Sequence, residues 1–304
     1  METENIIGNR EVREYLSNMI KQGNILHSYM FVGTEGIGKF KIAKKFAKDI
    51  LCIDNKMDDC ECRSCLCFNN GNHTDYKVID VLDKEKTISI DQIREFNEDI
   101  SEKPITSDRK VYIINNAEKM TVPAQNCLLK TLEEPPSYGV IILIVNDENN
   151  IIPTIQSRCM KIKFKNIPDD ELLKYAKDVL GYGEISNNLL KSFDGSILKA
   201  IKLKDNAEKF AELERIVDEI GRSDLIDFYK STKCVYDKEN VIDYLNYIIV
   251  CLYSKKDQNE KNLDLVGYVN EAIDKLRYNT NMDMTLDSLF FKIWEEMNES
   301  SNRC

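Results

Sequence analysis

The chain has 304 residues, enough for two or three domains, because single hydrophobic cores stop growing near about 250 residues. Its formal charge of −10 argues against a protein that grips nucleic acid over its whole surface, and residues 206–304, with 20 acidic and 13 basic side chains, hold most of the excess. No apolar run approaches the roughly 20 residues of a membrane span and the acidic N-terminus does not fit a signal peptide, so we expect a cytoplasmic protein with reduced or metal-bound cysteines.

The first predicted elements are a helix, a strand and a second helix that frame a glycine-rich loop. Residues 5–20 carry apolar side chains at helical spacing, and Tyr29–Val32 is a short apolar run typical of a buried strand. Gly33–Lys39 then spells G-x-x-x-x-G-K, and Phe40–Ala47 returns to helical spacing. A strand, this motif and a helix in succession predict a phosphate-binding loop.

The loop has the glycines and lysine of a nucleotide site but lacks one metal ligand. Gly33, Gly36 and Gly38 allow backbone N–H groups to turn toward phosphate oxygens, and Lys39 would reach the outer phosphates. The pattern requires Ser or Thr after the lysine, because that hydroxyl ligates magnesium, yet Phe40 stands there. We therefore expect a P-loop fold, with nucleotide binding left open.

A group of cysteines follows the second predicted helix, on a stretch that reads as a loop too polar to be a core element. Its members are Cys60, Cys62, Cys65 and Cys67, with Cys52 upstream. Four thiolates about 2.3 Å from the metal are typical ligands of a closed, structural zinc site, so we expect one here. The other internal cysteines lie on apolar faces and are interpreted as small buried hydrophobes: Cys127, Cys159, Cys234 and Cys251.

Strands and helices then alternate, before helices take over. Strands are predicted over 76–82, 111–114 and 140–145; helices begin at the Ser89 capping box and at Thr121. This alternation predicts a parallel α/β sheet with helices on both faces. Beyond residue 168 the sequence predicts short helices over 169–180 and 185–204, and then a helical bundle through the last hundred or so residues.

The strand before Asn115 ends in residues that suit ATP hydrolysis poorly. In a P-loop ATPase this strand ends in an Asp that holds magnesium and a Glu that aligns the attacking water. Here those positions are Asn115 and Asn116, and an amide neither takes up a proton nor neutralises the metal. With Phe40, they predict a loop that has lost its hydrolytic partners.

The stretches IINNAEKMTVPAQNCLLKTLEEPP and IIPTIQSRC resemble the AAA+ clamp-loader subunits of bacterial DNA polymerase III, and among these the delta prime branch. The resemblance covers roughly residues 5–204, with HSYMFVG, HTDY and SIDQIREF in the same order. It implies an AAA+ P-loop domain with a zinc-binding loop over 1–165, a small helical lid over 166–205 and a helical collar for oligomerisation over 206–304.

The resemblance also implies what the chain does. The hydrolysing relatives, gamma and tau, have Ser or Thr at Phe40, carboxylates at Asn115 and Asn116, and usually arginine at Leu198, so a subunit without intrinsic ATPase activity is implied. Its implied partners are gamma/tau and delta subunits, the sliding clamp and primed DNA. The alternative is an active ATPase of gamma/tau type; a zinc-dependent DNA-binding protein is a third class that the overall acidity disfavours.

The family's spacing suggests which cysteines bind zinc. It places them as C-x8-C-x2-C-x2-C, the last of them eight residues before the histidine that corresponds to His73. Counting back from His73 selects Cys52, Cys60, Cys62 and Cys65. The first two spacings are each one residue short in this chain, so Cys67 stays an alternative to Cys60. His73 itself is not expected to be a ligand, because the family uses cysteines only.

The resemblance finally assigns a role to Arg158, which we place just after the final strand of the sheet. In the family the Ser157-Arg158-Cys159 motif projects from one subunit into the ATP site of the next, which implies an arginine finger acting in trans. The alternative is a surface arginine paired with a carboxylate. Glu133 and Glu134 stand at a helix end among prolines, so we expect a structural role for them rather than acid–base catalysis.

Overall fold

The structure is a computed structural model that describes residues 6–56, 60–83, 85–204, 206–220, 222–255, 261–278 and 280–298. The chain divides into two compact units. The first comprises the chain up to Glu171 together with Gly195–Leu198; the second comprises Leu172–Asp194 and the chain from Lys199 onward. The finer division at residues 165 and 205 stays a prediction.

A five-stranded parallel sheet with the order β2-β3-β4-β1-β5 organises the first unit. β4 is buried along its whole length because it pairs with β1, from Ser28 opposite Ile141, and with β3, from Lys110 opposite Gly139. The predicted class, a parallel α/β sheet domain with a glycine-rich loop after its first strand, followed by a helical region, is confirmed. The strands are β1 Ser28–Val32, β2 Tyr76–Ile79, β3 Lys110–Ile114, β4 Gly139–Val145 and β5 Met160–Lys163.

Helices cover both faces of this sheet, as the alternation of side chains along a strand requires. On β1, the rings of Tyr29 and Phe31 lie 5.2 and 6.5 Å from Phe46 on one face, whereas Met30 joins the apolar cluster on the other. The Ser89 capping box and the Thr121 cap form as predicted. The helices are α1 Arg10–Lys21, α2 Lys39–Leu51, α3 Arg63–Asn69, α4 Ile90–Ser101, α5 Val122–Glu133 and α6 Pro153–Gln156.

The rest of the described chain is helical. α12 packs against α8, α10 and α13, and α13 packs against α14. The short helices predicted over 185–204, with a break at Gly195, are α8 and α9, and Asp194 and Gly195 adopt positive φ between them. Among the described residues, we find no helix long and apolar enough to cross a membrane. The bounds are α7 Asp169–Asp178, α8 Asn187–Ser192, α9 Ile197–Lys204, α10 Ala207–Glu219, α11 Leu225–Ser231, α12 Val241–Ser254, α13 Lys261–Arg277 and α14 Met282–Asn298.

Two expectations about local structure were wrong. The cysteine stretch is not only a loop, because α3 lies within it and buries Ser64, Cys65 and Phe68. Arg158 does not follow the final strand; it precedes β5. β5 is an edge strand in which only Ile162 is buried, and both neighbours of Ile162 are charged. Its sequence therefore lacks the apolar run from which the central strands could be predicted.

Candidate functional site

The glycine-rich loop lies where β1 ends and α2 begins. The N–H of Gly33 donates to the carbonyl oxygen of Val145 at 3.2 Å, which ties the start of the loop to β4. Gly36 and Gly38 have φ of +80° and +90°, a backbone conformation that costs glycine little. Lys39 is the first residue of α2. The structure thus brings Gly33, Gly36, Gly38 and Lys39 together as the sequence predicts, and their binding of a nucleotide stays a prediction.

The Lys39 ammonium group is turned back onto its own loop. Nζ donates to the carbonyl oxygens of Gly33 and Thr34, both at 2.6 Å, and to Oδ1 of Asn146 at 2.8 Å. Lys39 is 4% exposed, and burial lowers its pKa to about 8 against the opposing effect of nearby carboxylates. The three acceptors match the three N–H donors of the ammonium, so none is left over for a phosphate in this arrangement.

Amide and carboxylate side chains form a hydrogen-bonded network beside the loop. Asn115 and Asn116 donate to the two carboxylate oxygens of Asp80, at 2.7 and 3.0 Å. The side-chain amide of Asn146 donates to Oε1 of Glu118 at 2.6 Å, while the other Glu118 oxygen is buried and accepts no hydrogen bond from the described residues. Asn115 and Asn116 are therefore held by Asp80 and present no negative charge of their own.

The segment Gly195–Leu198 packs directly on the loop. The N–H of Ile197 donates to the carbonyl oxygen of Gly36 at 2.9 Å. A methyl group at Gly36 would lie 2.2 Å from Oγ of Ser196 and 2.5 Å from Cβ of Leu198, so this contact admits only glycine. The position where hydrolysing relatives usually have arginine is thus adjacent to the loop, but Leu198 offers no charge. Phe40, on the first turn of α2, remains partly exposed.

The cysteines gather into a second candidate site at the end of α2. The Sγ atoms of Cys52, Cys60, Cys62 and Cys65 all lie within 4.8 Å of one another, and every one of these residues except Cys62 is buried. Cys67, the alternative to Cys60, lies further along α3 and is not part of this group. The four cysteines selected by the family's spacing are therefore the four that the fold brings together.

The chemistry of these sulfurs fits a structural zinc ion. Zinc held by four thiolates at about 2.3 Å would place the sulfurs about 3.8 Å apart, so separations below 4.8 Å need only a small contraction. Although burial raises it, the backbone N–H groups of Cys65 and Ile53 lower the pKa of Cys62 to about 6, whereas burial and the neighbouring thiols raise the pKa of Cys65. In this arrangement Cys62 is the member of the group that most readily becomes the thiolate that binds metals. In the described part of the chain no second group of this kind occurs.

His73 is buried near the cysteines without belonging to their cluster. Its Nε2 lies 2.8 Å from Oγ of Ser64, and its Nδ1 accepts a hydrogen bond from the N–H of Asp75 at 3.1 Å. Both ring nitrogens are therefore engaged by protein groups. Burial lowers the pKa of His73, with the Asp75 carboxylate acting in the opposite direction. The geometry agrees with the expectation that His73 is not a metal ligand.

Arg158 is engaged with its own chain. One guanidinium nitrogen donates to Oε1 of Glu133 at 2.7 Å, and another donates to the carbonyl oxygen of Thr154 at 2.9 Å. The Arg158 side chain is 34% exposed and that of Glu133 is 50% exposed. The carboxylate pairing named as the alternative is thus present in the isolated chain, and a role in trans stays a prediction.

Sequence reasoning missed three polar residues of the loop's network: Asp80, Glu118 and Asn146. Asp80 and Asn146 each follow closely on a strand whose carboxyl end lies at the same edge of the sheet as the end of β1. That shared edge is the signal that could have identified them, because polar residues just after parallel strands meet there.

Comparisons with known proteins match the chain to subunits of DNA polymerase III. Residues 8–168 match the family described as DNA polymerase III, delta subunit. A Bacillus subtilis protein named DNA polymerase III subunit delta' is 27% identical over 298 residues, which cover 96% of this chain and 85% of that protein. Bacillus subtilis DNA polymerase III subunit tau is 29% identical over 282 residues, covering 89% of this chain and 49% of tau.

Other relatives carry gamma/tau names. The Mycoplasma genitalium DNA polymerase III subunit gamma/tau is 34% identical over 218 residues, covering 69% of this chain and 36% of that protein. The chain thus spans about half or less of the length of these tau and gamma/tau relatives. Among solved structures, a Thermotoga maritima protein related to the DNA polymerase III gamma subunit aligns with a TM-score of 0.48 and 16% identity, over 94% of this chain and 99% of that one.

Proposed function

Because this chain belongs to the family described as DNA polymerase III, delta subunit, we propose that it serves a bacterial clamp loader as a subunit of delta prime type that does not hydrolyse ATP. It would act in the cytoplasm with gamma/tau and delta subunits, and through the assembled complex with the sliding clamp and primed DNA. The competing function is that of an active gamma/tau-type ATPase, whose names also occur among the relatives.

The missing magnesium ligand after Lys39 is the single observation that carries this proposal. In a P-loop ATPase the hydroxyl of a Ser or Thr at this position ligates magnesium, but here the residue is Phe40, on the first turn of α2. A nucleotide bound at Lys39 would therefore lack this ligand for its metal ion.

The asparagines beside the loop support the same proposal. Phosphoryl transfer depends on positioned charge, since carboxylates hold magnesium and a polar residue orients the water. Asn115 and Asn116 supply neutral amides at these places, and Asp80 already accepts their hydrogen bonds. Restoring hydrolysis would therefore take several simultaneous changes, which favours a lost activity over a weakened one.

The test is ATP turnover by the purified chain, free of gamma-type subunits, with a hydrolysing gamma subunit as the positive control. We expect no turnover above the background of the Lys39→Ala variant, because magnesium and the attacking water lack their ligands. Turnover comparable with that of gamma and abolished by Lys39→Ala would reject the proposal in favour of the gamma/tau-type ATPase.

A subunit that does not hydrolyse ATP can still act on the ATP of its neighbour, and we propose this role for Arg158. The guanidinium is always charged and offers parallel donors to a phosphate on which charge develops. Its partner in the isolated chain, Glu133, is half exposed, so Arg158 can exchange this carboxylate for a phosphate at little cost.

We further propose that Cys52, Cys60, Cys62 and Cys65 bind one zinc ion in a structural role. Four thiolates leave no open position for substrate, so a zinc ion held there would stabilise the fold and do no chemistry. The chain's contribution is to bring the end of α2, which carries Cys52, against α3 with Cys65. A zinc-dependent DNA-binding protein is the less favoured reading because the chain has a formal charge of −10.

A further inference from the structure

A series of hydrogen-bonded, buried polar side chains connects the sheet to the cysteine cluster. These side chains belong neither to the proposed ATP site nor to the set of metal ligands. Ser64, His73 and Asp75 are 1%, 6% and 2% exposed. Buried polar side chains are costly unless their hydrogen bonds are complete, so a complete set at one place calls for a reason.

The hydrogen bonds fix which ring nitrogen of His73 carries the proton. Nδ1 accepts from the N–H of Asp75 at 3.1 Å and therefore bears a lone pair. The hydrogen of the neutral ring is then on Nε2, which donates to Oγ of Ser64 at 2.8 Å. Ser64, its own oxygen now accepting, donates its hydroxyl hydrogen to the carbonyl oxygen of Leu51 at 2.6 Å.

This last bond joins the two separate parts of the cysteine cluster. Leu51 immediately precedes Cys52 at the end of α2, whereas Ser64 immediately precedes Cys65 in α3. The hydroxyl of Ser107 supports the same junction, because it donates to the Leu51 carbonyl oxygen at 2.9 Å. The Ser64 and Ser107 hydroxyls thus meet on one carbonyl oxygen, and the bond from Ser64 holds the neighbours of two different cysteines against each other.

At the other end of this hydrogen-bonded series, Asp75 is anchored to the sheet. The Asp75 carboxylate accepts hydrogen bonds from three successive backbone N–H groups, those of Ile105, Thr106 and Ser107, at 2.7 to 2.9 Å. The carbonyl oxygen of Asp75 accepts from the N–H of Val111 in β3 at 2.8 Å. Rigid groups therefore hold the histidine ring on the side away from the cysteines.

We propose that His73 and Ser64 form a brace that positions α3 relative to the end of α2 and thereby sets how tightly the cysteine cluster retains zinc. The proposal rests on the zinc site proposed above. His73 acts here as a positioning residue: it touches no sulfur ligand in the hydrogen bonds described, and its effect passes through Ser64. Groups that orient metal ligands typically change metal affinity about 10- to 100-fold when removed.

The test compares two substitutions of His73, one that can keep the hydrogen bond made by Nε2 and one that can keep the hydrogen bond made by Nδ1. His73→Gln can place an amide N–H near the position of Nε2 and keep the bond to Ser64. His73→Asn reaches only the position of Nδ1, so it keeps the bond from Asp75 and loses Ser64. Zinc release from the full chain is followed with a chromophoric chelator, alongside the free energy of unfolding of each variant.

We expect His73→Asn and Ser64→Ala to release zinc about 10- to 100-fold faster, and His73→Gln to stay within a few-fold of the unmodified chain. His27→Gln is the matched control, because His27 is the other histidine and is exposed. Ile93→Val controls for a mild, general loss of stability, because Ile93 is buried in the apolar cluster on the face of the sheet opposite α2. Equal release from His73→Asn and from the unmodified chain would overturn the proposal, as would release that only follows the loss of stability.

A second measurement separates the brace from the metal itself. After chelation, amide hydrogen exchange in α3 should be faster in His73→Asn than in His73→Gln, because the brace orders α3 with or without metal. If the unmodified chain holds no zinc, the metal proposal fails, while this exchange experiment still judges the brace. Equal exchange in both variants would reject it.

Discussion

Arg158 offers the sharpest test of the proposed action on a neighbouring subunit. The free energy lost when its own ion pair breaks can be compared with the rate enhancement that an arginine finger supplies. In the isolated chain its guanidinium pairs with Glu133 at 2.7 Å, but the two side chains are 34% and 50% exposed. Ion pairs this exposed are worth less than about 1 kcal/mol, which is less than about tenfold in an equilibrium constant. Arginine fingers contribute roughly 10³- to 10⁵-fold to phosphoryl transfer. The rate enhancement expected from the finger is therefore larger than the stabilisation lost when the ion pair with Glu133 breaks.

The assay reconstitutes the clamp-loader complex with Arg158→Ala and measures ATP turnover and clamp loading. We expect assembly to survive, hydrolysis at the one neighbouring site to fall by about 10³-fold or more, and clamp loading to fall with it. Arg158→Lys should rescue poorly, because a point charge cannot reproduce two parallel donors. Glu133→Gln is the matched control: it removes the pairing but leaves the finger, so turnover should change by less than about tenfold.

The reasoning would be refuted by a complex that contains Arg158→Ala and still hydrolyses ATP and loads clamps at the unmodified rate. A complex that fails to assemble would instead show that Arg158 supports its own domain, where it also donates to the carbonyl oxygen of Thr154. Size-exclusion chromatography of the variant complex distinguishes these two results before any rate is compared.

Two further predictions concern the cysteines and the loop lysine. Cys65→Ser should lower bound zinc, measured by metal analysis, from about one equivalent to well below half, whereas Cys67→Ser should leave it unchanged because Cys67 lies outside the four-sulfur group. For Lys39, a folded pKa of about 8 lies below the ordinary 10.5, so the folded state binds fewer protons than the unfolded state between these values. The free energy of unfolding should then rise with pH from 8 to 10.5, by up to about 3 kcal/mol relative to Lys39→Met, in denaturant titrations; parallel curves for the two proteins would contradict this.

The elements that the sequence predicted well are those whose own side chains determine them. β1, β3 and β4 are central strands with nearly continuous apolar runs, and the caps at Ser89 and Thr121 depend on residues within one helical turn. The missed elements depend on contacts distant in sequence. β5 is an edge strand whose charged residues face outward, and α3 is stabilised by burial of Cys65 and Phe68 rather than by a long apolar stripe.

The candidate sites follow the same rule. The glycine-rich loop and the cysteine cluster could be predicted because their residues lie close together in the sequence and carry distinctive chemistry. The engagement of Lys39 by Asn146, and that of Asn115 by Asp80, join residues far apart in the chain, so only the fold reveals them. For Arg158, pairing with a carboxylate was predicted as an alternative, but Glu133 was not identified as the partner.

The strand order also determines when this protein can begin to fold during its synthesis. β1 lies between β4 and β5, and Ser28 pairs with Ile141, so the first strand emerges from the ribosome long before either neighbour exists. At a synthesis rate of about 5 to 20 residues per second, β4 follows β1 by about 5 to 20 seconds. Tyr29, Met30 and Phe31, which are fully buried in the finished sheet, lack both strand neighbours during that interval. A nascent chain stalled before residue 139 should therefore bind chaperones and resist folding, whereas one released after residue 163 contains every strand of the sheet.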